Sequence, residues 1–302
     1  MMRKFIKGEK GNAAVLTALI LLGLLGVTGL AVDGGMLYMH KSKLQKVANA
    51  AALSGAQELT ASEEKVKRIV NDILVSHNET GSLEGVTVIK DQKVSVVLNK
   101  KTKTSFAGLF GFDIVDVKAA ASASIKPMGR AVGAAPLGID ESIPLEYKKI
   151  YHLKIEPDST VSGSFGVLAL EGPGANIYEN NLRNGFQQEI KQGDIFNTQT
   201  GNIAGKTISV VKDLVNGCSI PVDDLRNQKC SRVLLIPVYQ PYQFDSNQLK
   251  QVKVTGFAYF YITEPMSSND TSITGMFIKR TGKGFTGEGS PDKGAYSIRL
   301  TE

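Results

Sequence analysis

Gly11–Val32, GNAAVLTALILLGLLGVTGLAV, contains no charged side chain; Arg3, Lys4, Lys7 and Lys10 precede it and Asp33 follows at once. At about 1.5 Å of rise per residue a helix of this length covers roughly 33 Å, enough for a hydrocarbon core of about 30 Å. Such a helix also satisfies its own backbone hydrogen bonds, which a segment in lipid must do. The rest of the chain is water-compatible sequence. These observations predict a cytoplasmic basic tail (1–10), a transmembrane helix (11–32) and an extracytoplasmic remainder. Orientation follows from charge: four basic residues and one acid, Glu9, precede the span, and basic residues return only at Lys41, Lys43 and Lys46. Cationic flanks resist translocation, so the expected topology is single-pass in the cell membrane with the N-terminus inside. A cleaved signal would have a shorter apolar region and a small-x-small site, and Thr28–Asp33 offers no good one.

Composition bounds the remainder. The chain has 302 residues, 42% hydrophobic and 21% charged, which fits one large or two modest folded domains rather than disorder. Half of the net charge of +6 lies in the tail (four basic residues less one acid), leaving no Lys/Arg block elsewhere to neutralise a phosphate backbone. Nucleic acid is therefore not an expected partner; membrane lipid is. Cys218 and Cys230 enclose a short loop holding Pro221 and Asn227. Outside the cytoplasm such a pair reads as one disulfide, with two unpaired buried thiols as the alternative. A zinc site needs four ligands, and no histidine lies nearby.

Helical patterning continues past the span. Leu37, Leu44, Val47, Ala48, Ala51, Ala52, Gly55 and Leu59 recur at three- and four-residue steps. One helix from about Asn12 to Glu58 would span roughly 70 Å, with a possible flexure at Gly34-Gly35. Its small face, Leu44, Ala48, Ala51, Ala52 and Gly55, permits close helix approach and is the expected association surface. Packing on this chain's own sheet is the other use for it. Ser62-Glu63-Glu64 opens a second helix. Val86–Ile89 and Val94–Leu98 alternate as a hairpin around Lys90–Lys93, and Val115–Ile125 reads as a third strand. This gives an α+β unit over 33–128, a Gly/Ala/Pro-rich linker at 129–138 and a mainly-β domain at 139–302. Strands are expected at Lys148–Ile155, Ser164–Leu170, Arg232–Tyr239, Val252–Thr263, Gly275–Lys279 and Ala295–Leu300. Short helices are expected at Ile177–Asn184 and Thr207–Val215, and a mobile loop at Thr281–Gly294.

Chemical motifs are near misses. Gly201 to Thr207 resembles a phosphate-binding loop but has three residues between its glycines where four are required. His40, His77 and His152 are scattered singly, and no HExxH or GxSxG is present. Glu171-Gly172-Pro173-Gly174 reads as a tight turn. The expectation is a protein without catalytic residues, cofactor or metal.

One signature is specific. Ala31-Val32-Asp33-Gly34-Gly35, Leu37-Tyr38, Lys43-Leu44-Gln45 and Ala48–Ala56 together resemble TadE/TadG-like proteins of the tight-adherence (Flp) pilus-assembly system. The strand pair, Phe106–Gly111 and the Ala-rich strand to Ile125 are similar to the minor-pilin-like part of that family. Phe165–Gly174, Asn180–Gly185, Gly193-Asp194, Gly201-Asn202, Cys230–Tyr239 and Val254–Phe260 look like an extracytoplasmic extension of some Gram-positive members. The resemblance implies a non-enzymatic, minor-pilin-like protein that meets other pilus-system proteins through its N-terminal helix, with homo-oligomerisation possible. An anchored binding module for peptide or glycan is the alternative. Asp140-Glu-Ser142-Ile-Pro144 lacks the last Ser of a von Willebrand A metal site, so neither that domain nor its metal is expected. Counting from Gly8 or Gly11 does not reach the Glu of processed pilins.

Overall fold

The computed structural model describes residues 9–154, 165–198, 203–225, 229–245, 248–267 and 272–301. It begins with one uninterrupted helix, α1 (Glu9–Ala56), which passes through Gly34 and Gly35 without a break. Two tight bonds, Gln57 N–H to Ser54 O and Glu58 N–H to Gly55 O, end it, and the chain turns. Helix α2 (Glu63–Ser76) starts where the Ser62 hydroxyl accepts the Lys65 N–H at 3.3 Å, with Glu63 and Glu64 complementing the first turn.

A first antiparallel sheet follows: β1 (Leu83–Ile89), β2 (Lys93–Lys103) and β3 (Ile114–Ala131). β2 and β3 pair from Lys93 opposite Ser124 to Lys103 opposite Ile114. The period of two puts Val94, Val96 and Leu98 of β2 on one face with Val117, Ala119, Ala121, Ala123 and Ile125 of β3, all buried. Both helices lie on that face, contributing Leu44, Val47, Ala48, Ala51 and Ala52 from α1 and Val66, Val70 and Leu74 from α2.

The second sheet uses β4 (Leu137–Asp140), β5 (Ile150–Lys154), β6 (Phe165–Ala169), β8 (Ile195–Thr198), β9 (Val233–Asp245), β10 (Gln248–Ile262) and β11 (Ser272–Ile278). β10 pairs with β9, β8 and β11, so β10–β8–β6–β4–β9 returns on itself as a closed circuit. Helices α3 (Ala175–Asn184) and α4 (Ala204–Asn216) pack over its core of Ile236, Val238, Ala258, Phe260 and Phe277. The Tyr178 and Thr207 hydroxyls join the two helices at 3.0 Å. Cys218, just after α4, is disulfide-bonded to Cys230, ahead of β9, with Cα atoms 5.4 Å apart.

The boundary between the two sheets differs from the expected linker. β3 runs on through Gly129 and Arg130 to Ala131, where β7 (Ile190–Lys191) pairs with it, and β4 begins at Leu137. The stretch expected to be a mobile loop instead supplies β12 (Arg280–Thr281) and β13 (Gly284–Thr286), the latter paired with β3. Glycines explain the fit: a Cβ on Gly129 would lie 2.3 Å from the Gly287 Cα, so the two backbones touch. Finally β14 (Ala295–Thr301) pairs antiparallel with β3 from Tyr296 opposite Pro127 to Thr301 opposite Ser122. The first sheet is thus completed by a strand that the sequence reading places in the second domain. Tyr296 and Ile298 enter the same core as Leu44 and Ala48. Lys279 Nζ to Asp91 Oδ2, 2.8 Å, adds a polar tie between the units.

A buried acid braces the first unit. Glu79, after α2, accepts from Lys100 Nζ of β2 at 2.6 Å and from the Ser82 hydroxyl at 2.7 Å, with Lys43 of α1 at 3.7 Å. Burial acts to raise its pKa, but the hydrogen bonds from Lys100 and Ser82 and the two lysine charges outweigh it and hold the carboxyl below the usual Glu range. A depressed pKa contributes stability above the unfolded-state value and loses it as pH falls through the folded-state value. Replacing Glu79→Gln is expected to cost about 1–3 kcal/mol at neutral pH. That deficit should shrink steadily below the ordinary Glu value of 4.5. Denaturant unfolding of both proteins across a pH series checks this; a deficit independent of pH would refute it.

Candidate functional site

Helix α1 changes its surroundings twice along its length. From Val15 to Val32 its apolar side chains are uncovered by the rest of the chain, with Leu22 at 66% and Val27 at 69% exposure. Consecutive leucines at 21 and 22 and again at 24 and 25 are all exposed, so the apolar surface runs right round the helix. A one-sided stripe would suit a core; an all-round one, uncovered by the rest of the chain, suits an apolar environment such as a membrane. The helix is long and apolar enough to cross a membrane. Its polar side chains are satisfied internally: the Thr17 hydroxyl donates to Ala13 O at 2.8 Å and that of Thr28 to Leu24 O at 2.7 Å.

Between Gly29 and Asp33 the turn joining β2 to β3 meets the helix. The Phe106 ring lies over Gly29 so closely that a Cβ there would be 2.4 Å from it. Asp33 is only 2% exposed. Its carboxylate accepts three successive backbone N–H groups, from Ser105 at 2.9 Å, Phe106 at 2.8 Å and Ala107 at 2.6 Å. These donors open the short 3₁₀ turn Ala107–Phe110, whose first N–H groups have no partner within the turn. The sequence shows Asp33 as the first charge after an apolar run. Its partners, more than seventy positions away, leave no local signal.

Beyond Leu37 one face of the helix is covered by its own chain, while Tyr38 and Met39 on the other stay exposed. Leu44, Ala48, Ala51, Ala52 and Gly55, the expected association face, lie inside the first unit against β2, β3 and α2. The reason is steric complementarity: small residues on α1 meet Ala119, Ala121 and Ala123 on β3, so helix and sheet approach closely. Gly55 is the tightest point, since a Cβ there would lie 2.8 Å from Val70 Cγ2. This face is occupied within the molecule, and the all-round apolar surface of α1 left uncovered is the part before Asp33.

The near-miss motifs serve the fold. Lys206 pairs with Glu179 at 2.6 Å, and the Thr207 hydroxyl, fully buried, donates to Ile203 O at 2.9 Å; Gly201 and Asn202 lie outside the described residues. Asp140 accepts from the Ser142 N–H at 2.8 Å, closing a turn. Gly172 and Gly174 take positive φ at a turn leading into α3. Among the described residues no group of three or more His, Cys, Asp or Glu is arranged to hold a metal.

With this geometry in place, the comparisons with known proteins are narrow and specific. Residues 11–58 match the family model described as Tad, putative Flp pilus-assembly TadE/G-like. The matched segment is almost coextensive with α1, so the family signature is a signature of this one helix and its two environments. No curated protein and no solved structure matches the chain.

Internal packing of the small face makes a prediction opposite to that for an association surface. Gly55→Leu is expected to lower stability by about 1–3 kcal/mol through overpacking against Val70. Denaturant unfolding of the detergent-solubilised monomer measures it. An unchanged midpoint would mean that Gly55 faces a partner instead.

Proposed function

We propose that this chain is a non-enzymatic, membrane-anchored component of a pilus-assembly system, minor-pilin-like in that its helix runs unbroken from the bilayer into the folded unit. The observation that carries this reading is the coincidence of the TadE/G-like match with α1, whose first half is uncovered and whose second half is core. A continuous helix of 48 residues couples any force or rotation at the membrane directly to the sheet packed on it. Lateral contacts with other pilus-system helices fall on the uncovered segment, where Gly23 and Gly26 have open space beside them. The basic tail faces the cytoplasm. The Cys218–Cys230 bond belongs to an oxidising compartment on the other side, consistent with the same topology.

The test is site-specific crosslinking in the native membrane. Photo-crosslinkers placed at Leu19 and Leu24, both exposed, should capture a transmembrane partner or a second copy. Crosslinkers at Ala48 and Ala52 should form only adducts within the chain. Partner adducts confined to the stalk, with none in the span, would overturn the assignment of the contact surface. Protease added to intact cells should digest the β-rich part and spare the tail; the reverse pattern would overturn the topology.

A further inference from the structure

We propose that the turn between β2 and β3, Ser105–Phe112, is a second membrane-contacting element: an apolar wedge that enters the outer leaflet beside α1 and sets how deeply the helix sits. The proposal rests on the reading of the uncovered segment of α1 as lipid-embedded, and it adds a site that the helix alone does not imply. The turn reads SFAGLFGF and carries no charge, which resumes only at Lys103 and Asp113 on either side. Three of its large side chains are turned outward, with Leu109 at 81% and Phe110 and Phe112 at 65% exposure, and Ile114 continues the patch onto β3. Clustered exposed aromatics at a loop tip are unusual on a surface that faces water.

Position decides what covers them. Phe106 packs on Gly29, which precedes Asp33 by one helical turn, roughly 6 Å along the axis. The turn is therefore level with the end of the uncovered apolar segment. A bilayer that surrounds Leu22 and Val27 reaches Phe110 without any further rearrangement.

Six of the turn's eight backbone N–H groups find acceptors within the protein, which lowers the cost of taking a non-helical segment into lipid. The N–H groups of Ser105, Phe106 and Ala107 donate to Asp33. Those of Leu109, Gly111 and Phe112 donate to Phe106 O, Gly108 O and Ala107 O, at 3.0–3.1 Å. Thr104 N–H donates to Asp113 O at 3.1 Å, sealing the neck. Asp33 is thus what allows the turn to leave water: its two oxygens absorb the donors that an isolated 3₁₀ turn would expose.

The chain contains no tryptophan, so a single substitution gives a unique reporter. Phe110→Trp, Leu109→Trp, Leu21→Trp and Phe285→Trp would each be placed in the full-length chain and reconstituted into phosphatidylcholine/phosphatidylglycerol vesicles with or without brominated acyl chains. Leu21 reports on the span itself. Phe285 lies beside Arg130 at the opposite end of β3, roughly 50 Å from Ile114. Brominated lipid should remove most of the emission of Phe110→Trp, Leu109→Trp and Leu21→Trp and spare Phe285→Trp. Unquenched emission from both turn variants, with Leu21→Trp quenched, would overturn the wedge while leaving the anchor standing. That holds also if their emission is blue-shifted, which would mark a protein contact. Unquenched emission from Leu21→Trp as well would overturn the anchor and the wedge together.

Discussion

A single helix with two kinds of surface organises this molecule. From Val15 to Val32 the side chains of α1 are apolar all round and uncovered, apart from Gly29 under Phe106; beyond Leu37 only one side is buried, and the surface it meets is the chain's own sheet. An all-round apolar cylinder and a one-sided stripe call for different environments, and the change occurs within about one turn. Asp33 marks it. A buried carboxylate is costly unless its lone pairs are filled, and here three backbone N–H groups fill them. The same contact orients the β2–β3 turn, so the seam between the two environments is also where helix and sheet are locked in register.

Close approach does the rest. Ala48, Ala51 and Ala52 face Ala119, Ala121 and Ala123, and Gly55 faces Val70, so the helix lies nearer to the sheet than larger residues would allow. Small side chains bury little area each, but they lose little rotamer freedom and place many backbone atoms in van der Waals contact. The Glu79 cluster with Lys100, Ser82 and Lys43 then ties the stalk part of α1, the end of α2 and β2 to one another.

Periodicity made some of this readable and left the rest hidden. The long helix, the hairpin of β1 and β2 and the alternation in β3 each follow from spacing along a local stretch, and the strands of the second sheet from short apolar runs. Side-chain size suggested close approach at Leu44–Gly55 but could not name the surface approached, because an Ala-rich face suits a partner helix and an Ala-rich strand equally. Gly129–Gly138 read as a linker since Gly, Ala and Pro dominate it; in the structure Gly129 is glycine because Gly287 crosses it. Likewise the glycines of 281–294 supply close contacts for β13. The pairing of β14 with β3 and the bonds from Asp33 to Ser105–Ala107 are long-range, and nothing within a local window encodes them.

Strand order carries one more implication. Tyr296 opposes Pro127, so about 170 residues separate the two halves of the ladder that seals β3. Until Ala295–Thr301 has been synthesised, the sheet packed on α1 presents a bare edge to the surroundings. Closing so large a loop is slow compared with local pairing. Folding of this protein therefore places the closing strand late, and that strand competes with any other extended segment that reaches the edge first.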